Sequence, residues 1–480
     1  MKVNLFINNK EVPTEQYTKV RDPGRLSEVV GFIAKGEASH IDQAVQAAHQ
    51  AFRSWSQTSL DERIEILLKA AEEIERNTSF IASVTAKENG ILLSRTIDEV
   101  KLGLMDLRNM VDLAPSALQS RELEDESGWV RVVKKPMGVI ACIVPWNAPI
   151  ILTLQKIAPI LLSGNTIVVK PSPTASMGVV TLLATMAKSF PPSVINVVPG
   201  GGEVGSALTS HPLVRKISFT GGGNTAVSIM KSAAETLKGV HFELGGNDPA
   251  IVLDDVDLKE VVPKIVEGAF RRTGQFCFAI KRVYIPDKLY DAFYEQACAV
   301  ADAYKIGHQL NEEATMGPIN NELQYQRINE LVDRLEKSGA HLVKLGKQLE
   351  PENWANGYYL QPVIVRDVNR SAEIVTCEQF GPVLPLIRYQ TEEEVIQMAN
   401  DSEFGLGSSI WSSDFNRALN IANQIEAGMT FINGHGQTPL GSKTIPFGGV
   451  KQSGIGREKS IEVFDEFIDY HGINFHKQKS

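Results

Sequence analysis

The sequence predicts an α/β protein built on parallel sheet, and three observations carry that prediction. From residue 138 onward, short β-branched runs alternate with stretches of helical periodicity. The runs lie at 138–144, 166–170, 195–198, 216–220 and 241–244, and helix-like segments such as 150–162 and 175–188 separate them. Strands spaced by helices form βαβ units and a parallel sheet. The chain has 480 residues, which at roughly 150 residues per domain corresponds to two or three domains with large cores. Hydrophobic residues make up 43% and charged residues 22%, a globular composition that excludes wholesale disorder and fibrous classes.

Taken in order, the first eight residues are too polar and too short in apolar length for a secretory signal. Ile41, Val45, Ala48 and Phe52 have helical spacing. Ser59-Leu60-Asp61-Glu62 is a capping-box pattern ahead of Ile64, Ile66, Leu67 and Leu68. The stretch 80–110 also reads helical. Within the charged segment 121–134, Trp129-Val130-Arg131-Val132-Val133 reads as a strand exposed on one face. The most apolar stretch, 138–169, is interrupted by Pro145, Asn147, Pro149, Gln155 and Lys156. It therefore predicts a buried strand, a turn and a buried helix rather than a membrane span, which needs about 20 predominantly apolar residues. A second alternating series runs from 250 to about 411, with strands at 281–285 and 364–366 and helices at 287–303 and 321–338. Phe467-Ile468-Asp469-Tyr470-His471 predicts an edge strand that pairs outside the main sheets.

Lys plus Arg number 48 and Asp plus Glu 57, a net charge of −9, which argues against nucleic acid as a partner. The cysteines Cys142, Cys277, Cys298 and Cys377 are scattered, with no CxxC or Cys/His ligand spacing. A disulfide framework and a metal site are not expected, and a reducing cytoplasm fits best.

Several motifs could carry chemistry. Gly221-Gly222-Gly223-Asn224-Thr225-Ala226 follows the strand Ile217-Ser218-Phe219 and precedes a helix over 227–237. Glycines there permit a tight turn and a phosphate at the helix N-terminus, although a plain strand-to-helix turn has the same pattern. Gly200-Gly201-Gly202-Glu203-Val204-Gly205 is a second cluster that also reads as a loop. Glu243, at the end of a strand before Gly245 and Gly246, could be a general base if burial tunes its pKa; a capping or surface role is the plainer alternative. Cys277, between Phe276 and Phe278 and after Gly274-Gln275, is a nucleophile only if its surroundings activate it; most cysteines are apolar filler.

Together these motifs resemble the aldehyde dehydrogenase superfamily over nearly the whole chain. Pro145-Trp146-Asn147-Ala148-Pro149 is similar to its PWN motif, and Gly164-Asn165-Thr166-Ile167-Val168-Val169-Lys170-Pro171-Ser172 to its ribose-lysine segment. Glu243-Leu244-Gly245-Gly246 resembles its general-base motif and Gly274-Gln275-Phe276-Cys277 its nucleophile motif. Glu378-Gln379-Phe380-Gly381-Pro382-Val383 and Pro446-Phe447-Gly448-Gly449 resemble its later segments. Six modest motifs in the family's order are jointly specific.

The resemblance implies oxidation of an aldehyde to an acid with NAD or NADP. Cys277 would attack the carbonyl, the Asn147 amide and the Cys277 N–H would hold the oxyanion, and Glu243 would activate water. Lys170 with Ser172 would bind the adenosine ribose and Glu378 the nicotinamide ribose. The helix after Thr220, Gly221 and Gly222 would receive the pyrophosphate, and Trp146, Leu244 and Phe380 would lie near the nicotinamide. The implied fold has a Rossmann-like cofactor domain (1–117 and 137–245), an α/β catalytic domain (246–445) and a β-arm (118–136 and 463–480) that pairs subunits into a homodimer or homotetramer.

Two departures stand out. Gly222 replaces the family's usual serine in the glycine loop, and Pro173 replaces the glutamate that marks NAD preference. Pro173 cannot bond ribose hydroxyls, so both cofactors are expected to be accepted. Alternatives are a coenzyme A-acylating relative, against which Glu243 speaks, and a catalytically idle member with a binding role. Phe276 and Phe278 suggest an apolar tunnel wall and a medium-sized apolar or aromatic aldehyde. Arg271 and Arg272 read as solvated or structural; one facing the tunnel would favour an acidic aldehyde.

Overall fold

The computed structural model describes residues 1–477; the last three residues of the expected arm, 478–480, lie outside them. The expected α/β alternation is present as two large sheets flanked by helices. In the first, the strands Val139–Ile143, Thr166–Lys170, Ile195–Val197, Val214–Thr220 and Gly239–Glu243 are mutually parallel. Val139–Ile143 and Thr166–Lys170 are buried at every position. That is why they read as continuous apolar runs: helices cover both faces of such a sheet.

The edges of this sheet were not legible beforehand. Leu5–Ile7 adds antiparallel to Ile195–Val197 and pairs with Lys10–Val12. The two-residue turn between them holds Asn8 and Asn9 at φ 55 and 55, the left-handed conformation that a tight hairpin requires and asparagine tolerates. At the opposite edge, Gly454–Ile455 pairs antiparallel with Gly239–Glu243.

The early helices follow their sequence signals. Ala38–Trp55 buries Ile41, Ala44, Val45 and Ala48 on one face. Ser59 caps Leu60–Arg76 by accepting from the Glu62 N–H. The helical stretch expected at 80–110 is instead two helices, Thr78–Asn89 and Leu93–Ala117. Gly90, at φ 86, ends the first, because a left-handed residue past the C-terminus turns the chain out of the helix.

In the second sheet Val363–Arg366, Val383–Tyr389, Ile280–Pro286, Asp248–Val252, Gly407–Trp411 and Met429–Ile432 run parallel in that spatial order, and His341–Lys344 adds antiparallel at one edge. Gly128–Pro136 forms a separate three-stranded sheet, between Arg121–Glu124 and Ile468–His476. Just before that last strand, Val463, Phe464 and Phe467 are buried in the core of the first sheet's helical layer, so the tail is anchored before it leaves for the arm.

Candidate active site

The carboxyl ends of parallel strands point the same way, and ligands of such sheets bind in the crevice beyond them. Four predicted segments leave from those ends. Pro145–Asn147 follows Val139–Ile143, Lys170 closes Thr166–Lys170, Gly221 follows Val214–Thr220, and Glu243 closes Gly239–Glu243. Residues far apart in sequence thus reach one rim because βαβ units repeat the same direction of travel.

The second sheet supplies the thiol. After the helix Leu258–Phe270 the chain turns through Arg272, Thr273 and Gly274, all left-handed at φ 53, 59 and 72. A Cβ on Gly274 would stand 2.4 Å from the Gly381 carbonyl oxygen, so only glycine lets the two loops close there. Gln275 is buried; its amide donates to Arg272 and Pro318 carbonyls and its oxygen accepts from the Asn320 N–H. The glycine and glutamine of the nucleophile motif therefore shape the turn that delivers Cys277.

Cys277 and Asn147 line one cavity of about 340 Å³, walled by Phe276, Phe278, Phe431 and Phe447. Both are buried, as is Glu243. Neither Glu243 oxygen has a hydrogen-bond partner among the described residues. Burial, then the Glu458 charge, push its pKa up to about 8. Burial and the adjacent Glu243 carboxylate push the Cys277 thiol well above its ordinary range, and only the Lys281 ammonium pulls it down. Glu243 raises the thiol's pKa while the Cys277 thiol, as a donor, lowers that of Glu243, so the two buried groups are poised to exchange a proton. By contrast Cys142 is deep in the core and pushed up to about 12 by burial.

Supporting residues hold this geometry. Glu99 accepts from the Ile150 and Ile151 N–H groups at the start of the helix Pro149–Leu162, and pairs with Arg272 at 2.8 Å. Arg272 also donates to the Asn147 carbonyl at 3.0 Å. One carboxylate at a helix N-terminus thus ties the Asn147 loop to the Cys277 turn. Lys281 donates to the Cys277 carbonyl and pairs with Glu378 at 3.1 Å, and Glu378 accepts from the Gly246 N–H. The Trp146 and Phe380 rings meet edge to face at 5.4 Å. The Leu244 N–H donates to the Ser453 carbonyl.

The rim of the first sheet fits a dinucleotide. A Cβ on Gly202, Gly222 or Gly223 would meet nothing within 4 Å, so the helices Gly202–Ser210 and Gly223–Ala234 open onto free space at their N-termini. Gly222 caps the second with no side chain. The Thr220 hydroxyl is buried without a hydrogen-bond partner among the described residues. Lys170 is buried too, and its ammonium donates to the neighbouring Pro171 carbonyl at 3.2 Å. Burial lowers its pKa to about 8, with the Glu203 charge opposing. Ser172 lies 3.4 Å from the Thr174 hydroxyl.

The Aldehyde dehydrogenase family profile matches residues 10–473. The chain belongs to the aldehyde dehydrogenase family. It is 34% identical over 452 residues to a geranial dehydrogenase of Castellaniella defragrans, covering 93% of each chain. Among solved structures it superposes on an aldehyde dehydrogenase of Bacillus cereus in complex with NAD+, with a TM-score of 0.94 and 29% identity, covering 100% of this chain and 97% of that one. It also matches aldehyde dehydrogenase C of Pseudomonas syringae, studied as a mutant with NAD+ and octanal, at a TM-score of 0.92 and 32% identity, covering 98% and 96%. As an aldehyde dehydrogenase, this chain is an oxidoreductase, and the expected fold class is borne out.

Sequence reasoning missed Glu99, Glu203 and Lys281. Lys281, four residues after Cys277, carried a positional hint; Glu99 carried none. Arg271 and Arg272, read as solvated or structural, both line the cavity that holds Cys277. Among the described residues no group of three or more His, Cys, Asp or Glu side chains could hold a metal. No helix among them is long and apolar enough to cross a membrane.

Proposed function

We propose that this aldehyde dehydrogenase converts an aldehyde to the carboxylic acid with NAD+ or NADP+ through a covalent intermediate on Cys277. The observation that carries the reading is the buried Cys277 thiol next to the buried, unpartnered Glu243 carboxylate, on a cavity shared with Asn147. When bound, the nicotinamide ring supplies one thing, a hydride acceptor.

The remaining chemistry belongs to the chain. The Cys277 sulfur attacks the carbonyl carbon and its proton goes to the Glu243 carboxylate. The Asn147 side-chain amide and the Cys277 N–H donate to the oxyanion that forms. Fixed donors aimed at developing charge lower such barriers by roughly 3 kcal/mol each. Loss of hydride leaves a thioester on Cys277. Glu243, ionised again by passing that proton to solvent, takes a proton from water; hydroxide adds to the thioester, the C–S bond breaks, and the acid leaves. Lys170 and Ser172 hold the adenosine ribose, and Glu378, braced by Lys281 and Gly246, holds the other ribose. The N–H groups after Thr220, Gly221 and Gly222 receive the pyrophosphate, and Trp146, Leu244 and Phe380 bound the nicotinamide end.

The division into cofactor domain (1–117, 137–245), catalytic domain (246–445) and arm (118–136 with the tail) belongs to the same reading. The arm leaves Leu123, Tyr470 and Phe475 exposed on a sheet with free edges, which another subunit would cover in a homodimer or homotetramer. A cytoplasmic location accords with four unpaired cysteines. An aldehyde panel read by NADH or NADPH formation, with and without coenzyme A, tests the function. Turnover that requires coenzyme A would favour the acylating reading.

A further inference from the structure

The cavity beside Cys277 is apolar along its aromatic wall, yet three arginines and a lysine line it. Two arginines are already satisfied. Arg95 pairs with Glu267 at 3.2 Å, and Arg272 pairs with Glu99 at 2.8 Å. Arg271 differs. Its guanidinium lies 4.9 Å from the Phe276 ring centroid and 5.8 Å from that of Phe278, the two aromatics flanking the nucleophile. It makes no ion pair and donates no hydrogen bond among the described residues. Lys459 lies on the same cavity, 4.3 Å over the Phe447 ring, and also lacks an ion-pair partner there.

The acidic groups on the cavity do not compensate. Glu99 is taken by Arg272 and two backbone N–H groups. Asp106 accepts from Gln155 and from the Ser442 hydroxyl. Asp98 is exposed at the mouth. Arginine cannot shed its proton, and a half-buried guanidinium with no paired acceptor carries a cost that ring contacts offset only in part. Burial lowers the Arg271 pKa, the Arg272 and Arg95 charges add to it, and the Glu267 charge, already paired with Arg95, opposes. A carboxylate is the planar partner that a guanidinium fork takes in two parallel bonds.

We propose that the substrate is an aldehyde bearing a carboxylate at the end remote from the carbonyl, with Arg271 as the residue that grips it and Lys459 as a second positive charge on the same wall. The inference rests on the reading of Cys277 as nucleophile, since that fixes which end of the cavity holds the carbonyl. An uncharged alkanal would fill the aromatic wall and leave Arg271 unpaired. An acid of matching length satisfies both.

The test compares matched pairs on the purified enzyme: 4-oxobutanoate with butanal, 6-oxohexanoate with hexanal, and 4-formylbenzoate with benzaldehyde. At least one acid should exceed its uncharged partner in kcat/KM by about tenfold or more, the effect of one good charge-assisted contact. Arg271→Met, which keeps length and apolar bulk, should cut that ratio by at least about tenfold, mainly through KM of the acid. Wild-type enzyme preferring the uncharged member of every pair overturns the inference. So does Arg271→Met lowering both members equally. If the variant fails to fold, inhibition of wild type decides: succinate or adipate should compete with butanal, and absence of competition overturns the proposal. No oxidation of any aldehyde would instead refute the broader function, so the two failures are distinct.

Discussion

The Lys156 ammonium lies 2.7 Å from a Glu458 carboxylate oxygen, and both side chains are buried. The pair joins the helix Pro149–Leu162 to the segment before the C-terminal tail, and Lys156 also reaches the Ser218 hydroxyl at 3.2 Å. This partner accounts for a lysine inside the most apolar stretch of the chain. The pair lies close enough to Glu243 for both charges to act on it: Glu458 raises its pKa and Lys156 lowers it.

Glu458→Gln should therefore have two effects. It strands a buried ammonium, which costs about 3–5 kcal/mol of stability, read by thermal or denaturant unfolding. It also removes the charge that raises the Glu243 pKa and leaves the one that lowers it, so the alkaline rise of kcat should move to lower pH. A pH profile unmoved in folded variant would refute the coupling.

Cys277→Ala should abolish oxidation while cofactor binding, followed by fluorescence or calorimetry, survives. Cys142, Cys298 and Cys377 should each tolerate Ala with most of the rate kept, since none lines the cavity. Cys142→Ala will cost some stability, because the residue is fully buried.

Glu243→Gln should still form the thioester, though more slowly: Cys277 must then give its proton to solvent, while loss of the carboxylate removes one of the influences that hold its pKa up. Rapid mixing should show at most one reduced cofactor per active site, then very slow turnover. The same variant should be more stable than wild type. A carboxyl whose folded pKa is raised to about 8 from its ordinary value of 4.5 loses stability as pH climbs between those values. The advantage of glutamine should grow across that window and level off above it, measured as Tm against pH. Turnover in wild type should rise through pH 8 as the base ionises.

Pro173→Glu should raise KM for NADP more than for NAD, with Pro173→Ala as the backbone control. Two like charges about 4 Å apart cost roughly 1 kcal/mol in water, a several-fold effect. Wild type should accept both cofactors. Glu203 adds a second handle: its charge acts on Lys170, and Gly205, on the same helix, stands against the Lys170 side chain. Glu203→Gln should lower KM for NADP. Strong exclusion of NADP by wild type that persists in Glu203→Gln would show that neither position discriminates.

The sequence by itself determined the class of fold, because βαβ alternation depends on local periodicity. Runs such as Thr166–Lys170 kept their predicted bounds, and the motifs around Cys277, Glu243 and Asn147 pointed to one family. Three kinds of fact waited for tertiary structure. The break at Gly90 depends on a backbone conformation that glycine permits but does not announce. The braces Glu99 and Lys281 act across long sequence separations, and nothing in the neighbouring residues marks a partner that distant. The roles of Arg271 and Arg272, adjacent in the chain, diverge because folding pairs Glu99 with one and, among the described residues, leaves the other without an ion pair. Whether a charge is spent inside the protein or left for a ligand is a property of what folding places beside it, and one-dimensional order holds no record of that.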